Sequence, residues 1–211
     1  TEKELEKKGI EILEGNGRPV FVLMAATNID RLVTFYKIAN TTKRLFLLDT
    51  YAGQITATIG GNIPNPRTFS NVRIFLTNQD KYEILKNYPQ NKIGKNEIAN
   101  KNFMMCIRSS MKQYLENRSK EFSFEGCVLF YSMWEGYKKQ ENMKEFLKFM
   151  EEKGVKTISL HTSGHADEKD FDKLIKKVEP KIIIPVHTEN SEWFKKYENC
   201  EVICDKNIIK I

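Results

Sequence analysis

The stretch VKTISLHTSGHADEKDFDKLIKKVEPKIIIPVHTE, from Val155 to Glu189, holds all three histidines of the chain and reads as strand, turn, helix and strand. Val155, Thr157, Ile158 and Leu160 make a β-rich run ending at His161, and Ser163-Gly164 is turn chemistry that cannot continue a strand. His165 therefore sits where a strand opens toward a helix. Asp167 is a good N-cap, with Asp170 three residues on, and Phe171, Leu174, Ile175 and Val178 recur at helical spacing. Pro180 ends that helix. Lys181 to Val186 is an apolar run of the length of a buried parallel strand, with His187 at its carboxyl end. Ligands in open α/β sheets bind outside such ends, so a right-handed crossover between neighbouring strands brings His165 and His187 to one sheet edge. A single histidine at a strand end is as often a satisfied polar residue as a reactive one; two on one edge point to chemistry. His161 and His165 have the spacing of a helical zinc pair, but Gly164 and the preceding β-branched run argue against a helix. That leaves His161 in a structural or supporting role.

The rest of the chain repeats the alternation. Thr1 to Leu13 has Leu5, Ile10 and Leu13 on one face of an amphipathic helix, stopped by Gly15-Asn16-Gly17. Val20 to Met24 reads as a buried strand. A helix to about Asn40 follows, capped by Thr27 or Asn28, with Leu32, Phe35, Tyr36 and Ala39 inward. Leu45 to Leu48 is a second strand, Asp49-Thr50 a cap, and Tyr51 to Ile59 a helix. Gly60 to Ser70 is a loop, and Val72 to Leu76 a third strand. From Asn78 to Asn102 the pattern weakens to a short helix near Lys81 to Asn87. Met111 to Asn117 reads as a helix capped by Ser109 or Ser110, and Gly126 to Tyr131 as a strand. A turn rich in aromatic residues, Ser132 to Tyr137, precedes a helix from Glu141 to Lys153. Beyond Glu189, Ser191 to Tyr197 is a short helix, and 201–205 with 207–211 form a hairpin. Strands alternating with helices predict an α/β protein with a mainly parallel sheet flanked by helices.

Composition narrows the setting. Forty per cent hydrophobic and 29% charged residues are ordinary for a globular protein. No apolar run approaches the length of a membrane span, and TEKELEKK lacks a signal peptide's apolar core, so the expected location is cytoplasmic with no membrane partner. Cys106, Cys127, Cys200 and Cys204 show no C-x-x-C spacing and predict free thiols rather than a disulfide framework. The formal net charge of +6 suits a polyanionic partner. Lysines interspersed with glutamates are equally what a solvated surface looks like.

HTSGHADEKD followed by IIIPVHTE resembles the carboxyl-terminal part of metallo-β-lactamase-fold nucleases that carry a β-CASP domain, the ribonuclease J type most closely. The resemblance implies that 1–137 is the β-CASP domain, and that 138–211 supplies a strand-helix-strand layer completing an αββα metallo-β-lactamase fold. TNIDRLVTFYKIA, LFLLDTY and LFYSMWEGY are compatible with β-CASP elements, though less specific. It further implies that His165 is the general acid on the leaving 3′ oxygen, and that His187 ligates one of two zinc ions. Ser163 and Gly164, with Ala166 beside them, lie where such relatives cradle a terminal phosphate, which suggests a 5′-exonuclease. The implied substrate is RNA more than DNA, because His187 stands where the DNA-repair branch carries valine.

This chain departs from the family's pattern in lacking the H-x-H-x-D-H loop, and three histidines are too few for a two-zinc site. The expectation is therefore a fragment, inert and without bound zinc on its own, whose partner is an amino-terminal metallo-β-lactamase half. A homodimer is left open. The alternative reading is a non-catalytic nucleic-acid-binding α/β module, in which Tyr131, Trp134 and Tyr137 stack bases; packing explains such a cluster at least as well. A nucleotide-binding Rossmann-like domain is disfavoured because AATNIDR lacks the glycine fingerprint.

Overall fold

The computed structural model describes residues 1–77, 82–162, 168–186, 188 and 190–204. They fall into two compact units, 1–162 and 163–211.

The first unit contains helices α1 (Glu2–Ile12), α2 (Ile29–Thr41), α3 (Thr50–Ile59), α4 (Lys95–Ile98), α5 (Lys112–Arg118) and α6 (Glu141–Glu152). Its strands are β1 (Val20–Leu23), β2 (Leu45–Asp49), β3 (Val72–Phe75), β4 (Phe103–Ile107), β5 (Val128–Tyr131) and β6 (Lys156–Ser159). They form one sheet in the order β3-β2-β4-β1-β5-β6, every pairing parallel. A parallel sheet needs cover on both faces, and the pleat divides each strand's residues between them. Phe21 and Leu23 of β1 join a core with Leu115 of α5 and Phe146 and Met150 of α6. Val20 and Val22 turn the other way, onto Leu5 of α1 and Leu32 and Phe35 of α2. The α/β fold with a parallel sheet is thus the one the alternation predicted.

Local chemistry sets the helix starts. Thr1 and Glu4 form a reciprocal capping box on α1, the Asn28 side chain accepts from Arg31 N at 3.1 Å, and the Asp49 carboxylate accepts from Ala52 N at 2.9 Å. After α6 the chain turns at Gly154 with φ +79°, where a Cβ would overlap Glu125.

Several expectations are corrected. The strand Phe103–Ile107 was not among those expected, yet it lies between β1 and β2 with all five residues buried. Methionine favours helices, and FMMCI is too short to show a period. Ser109 and Ser110 do not cap α5; they lie in a 3-10 turn, and Met111 stands at the N-cap without a side-chain bond.

The second unit contains α7 (Glu168–Val178), β7 (Ile182–Ile183), a 3-10 turn over Ser191–Lys196 and β8 (Glu201–Val202). Here β7 pairs in parallel with β8, Ile182 opposite Glu201, whereas β6 pairs with β5 in the first sheet. Within its own unit the partner of β7 is β8, which was not the partner expected. Nor is 181–186 a buried strand: only two residues are paired, and Ile182, Ile184 and Val186 are exposed, Val186 at 78%. The apolar stripe of α7 is open, with Leu174 56% exposed and Val178 also exposed. Within this unit the described elements cover only part of the apolar surface of α7 and 182–186. The unit's packing rests on Phe171, Trp193 and Phe194, whose rings meet edge to face. The second strand of the expected hairpin, 207–211, lies outside the described residues. Among the described residues, no helix is long and apolar enough to cross a membrane.

Candidate functional site at the carboxyl edge of the sheet

Because all six strands of the first unit are parallel, their carboxyl ends share one edge, where Asp49 ends β2 and Arg108, Ser132 and His161 follow β4, β5 and β6. The polar side chains there form two clusters.

The larger is built on Arg31, in the first turn of α2 and 1% exposed. A buried guanidinium persists only when its donors are matched. Arg31 Nε donates to the Glu2 carboxylate at 3.0 and 3.1 Å, and Nη2 lies 2.9 Å from Glu2 Oε1 and donates to the Thr162 carbonyl at 3.0 Å. Nη1 donates to Ser132 Oγ and lies 3.2 Å from His161 Nδ1. Ser132 Oγ in turn donates to the Leu160 carbonyl at 2.6 Å, and Thr34 Oγ1 to Glu2 at 2.7 Å. One side chain thereby ties α1, α2 and the ends of β5 and β6 into a single network.

Arginine has no acceptor, so the contact makes His161 Nδ1 the acceptor and places the ring proton on Nε2. Burial, then the Arg31 charge, holds the His161 pKa below its ordinary value, against weaker opposition from the Ser132 backbone and the Glu135 and Glu2 carboxylates. Burial would raise the Glu2 pKa. The hydrogen bonds from Arg31 and Thr34, with the Arg31 charge, outweigh it and leave Glu2 below the ordinary carboxylate value. Next to this network Ser159 Oγ donates to Glu135 at 2.8 Å, and Lys138 pairs with Glu135 at 2.7 Å.

The smaller cluster joins β2 to β4. Arg108 donates to Asp49 Oδ2, and its guanidinium carbon lies 5.4 Å from the Tyr51 ring centroid.

Of the residues singled out in the sequence, His161 stands in the Arg31 network. His165, His187, Ser163, Gly164 and Ala166 lie outside the described residues. Among the described residues no group of three His, Cys, Asp or Glu side chains could hold a metal ion. With Nδ1 held by a cation, His161 is not placed as a ligand. The described residues therefore do not by themselves fit a zinc centre.

Sequence reasoning missed Arg31 and Arg108. Arg31 had a visible signal: it occupies the same helical stripe as Phe35 and Ile38, all three buried, so a charge interrupts an apolar face. Arg108 carried no such signal, because it follows a strand that was itself not recognised.

Comparison with known proteins bears on the carboxyl-terminal third. Residues 153–198 match the Zn-dependent metallo-hydrolase RNA specificity domain. That segment contains the SGHA and PVH motifs, and the match supports the metallo-β-lactamase-fold side of the resemblance, with zinc and hydrolysis as family properties. The β-CASP and ribonuclease J assignments are finer than this match reaches. No curated protein matches the chain. Among solved structures, the crystal structure of a protein of unknown function from Enterococcus faecalis V583 is similar in fold, with 21% identity and a TM-score of 0.69. The similarity covers 98% of this chain and 44% of that one, so this chain spans less than half of its structural relative.

Proposed function

We propose that this chain is the carboxyl-terminal part of a zinc-dependent β-CASP ribonuclease of the ribonuclease J type, cytoplasmic and acting on RNA as a 5′-exonuclease. In this reading 1–137 is the β-CASP domain, and 138–211 completes the metallo-β-lactamase domain. His165 delivers the proton to the departing 3′ oxygen, His187 gives one imidazole to a zinc ion, and Ser163, Gly164 and Ala166 cradle the terminal phosphate. Zinc takes three or four protein ligands, so the others belong to an amino-terminal half beyond these residues. The observation that carries the proposal is the match of 153–198 to the RNA specificity domain, which places SGHA and PVH in one recognised segment. The exposed apolar residues of α7 and of 182–186 fit a unit made to pack against another body.

The test is metal content against activity in the longer protein. His187→Ala should lose zinc and activity together. His165→Ala should keep zinc and lose about 10²–10⁴-fold in the chemical step on 5′-monophosphorylated RNA. Equal zinc loss in both variants refutes the assignment of roles. The 211-residue chain by itself should leave labelled RNA intact with zinc or manganese present; metal-dependent cleavage by it would show that the site is complete without another segment.

A further inference from the structure

The edge of the first sheet has a feature that neither histidine motif explains. After β1 the chain crosses β4 to reach β2, and after β4 it crosses β1 to reach β5. The connections leave the adjacent strands β1 and β4 in opposite directions, and it is outside the carboxyl ends at such a switch point that open α/β sheets bind ligands. Arg108 follows β4 at this point and reaches toward the end of β2, where Tyr51 stands in the first turn of α3.

Both side chains are placed as if for a ligand. Tyr51 is 47% exposed, although nearly every other aromatic ring described in this unit is buried or packed against another ring. The two further exposed rings there, Trp134 and Tyr137, lie edge to face on each other at 5.4 Å. Tyr51 meets no other ring among the described residues; its ring contact is the Arg108 guanidinium. Arg108 is held in place yet available. Its side chain is 43% exposed and Asp49 takes one of its five N–H donors; Nε is buried, so the donors left for a ligand are those of the terminal nitrogens. Asp49 is itself fixed, with Oδ1 capping α3 and Oδ2 on Arg108. A planar cation on one face of an exposed ring leaves the other face for a base, and the remaining guanidinium donors for a phosphate.

We propose that the switch point at the carboxyl ends of β2, β4 and β1 seats one nucleotide of single-stranded RNA, its base stacked on Tyr51 and its phosphate on Arg108. The inference rests on the RNA reading above and adds a contact remote in sequence from the histidine motifs. Base stacking on an aromatic ring is tolerant of sequence, and the net charge of +6 attracts the backbone.

The test is fluorescence anisotropy of the 211-residue chain with a labelled oligouridylate, at several salt concentrations. Tyr51→Ala should weaken binding roughly 5- to 100-fold, and Tyr51→Phe should bind within about 2-fold of the original. Arg108→Gln should weaken binding and lower the salt slope by about 0.7, the value for one phosphate on a single strand. Thermal melts confirm that each variant is folded, and Lys7→Gln on α1, which removes an exposed charge elsewhere, should leave the affinity within about 2-fold. Wild-type affinity in both Tyr51→Ala and Arg108→Gln, with the parent chain binding RNA, overturns the site and leaves the RNA reading standing. Failure of the parent chain to bind overturns the site, and the reading of the longer protein then stands or falls on its own metal-content test. Binding of uridine monophosphate with the same dependence on Tyr51, and no gain for the oligomer, would make the ligand a free nucleotide and also overturn the proposal.

Discussion

Replacing Arg31 by methionine keeps the aliphatic stem of the side chain and removes the charge that α1, β5 and β6 share. The buried side loses matched donors to Ser132 Oγ, His161 Nδ1 and the Thr162 carbonyl, and Glu2 loses its partner. Breaking a fully buried ion pair costs about 3–5 kcal/mol. The Glu2 side chain is 34% exposed, so water recovers part of its solvation, and the expected loss for Arg31→Met is about 2–4 kcal/mol. For a unit of this size that corresponds to a melting temperature roughly 5 to 15 °C lower. Urea unfolding followed by circular dichroism measures it directly. Glu2→Gln keeps one acceptor for Arg31 but leaves the buried guanidinium without its counter-charge, so it should cost about 1–3 kcal/mol. The double variant should cost less than the sum of the two, since the residues share one network. A loss below about 1 kcal/mol for Arg31→Met, with the urea dependence unchanged, would refute the view that this network holds the strand ends together.

The same network sets a pH dependence. Both shifted groups have pKa values below their ordinary ones, so the unfolded chain binds more protons; their contribution is full above the ordinary histidine value of 6.5. As pH falls, the His161 contribution goes first, and the Glu2 contribution follows below the ordinary carboxylate value of 4.5. Urea midpoints measured from pH 8 down to about pH 3 should fall in that order, and the first decline should shrink in Arg31→Met. In the second unit, Leu174→Ser on the open face of α7 should change stability by less than about 0.5 kcal/mol, whereas Phe146→Ala in the first core should cost about 3–5 kcal/mol. Urea unfolding of both variants checks the contrast, and a large loss for Leu174→Ser would mean that this face is already covered.

Periodicity and turn chemistry in the sequence were enough to place most helices and every strand of the first sheet except β4, because those signals are local. Asn28 and Asp49 cap the helices they precede, and the apolar stripe of α2 lies where its spacing put it. The SGHA and PVH motifs were also legible as patterns, and family comparison reaches the same segment. What the sequence could not decide are relations between residues far apart. FMMCI carries no period of its own, and only the cover of neighbours on both faces makes it the strand between β1 and β2. Ile182 to Val186 has the composition of a buried strand, but burial depends on what surrounds it, and the described residues of its unit leave it open. Arg31 looked like one more helix charge until Glu2, Ser132, His161 and Thr162, brought together from three elements or their ends, supplied partners for its donors. A buried charge is defined by its partners, and those partners are chosen by the tertiary fold.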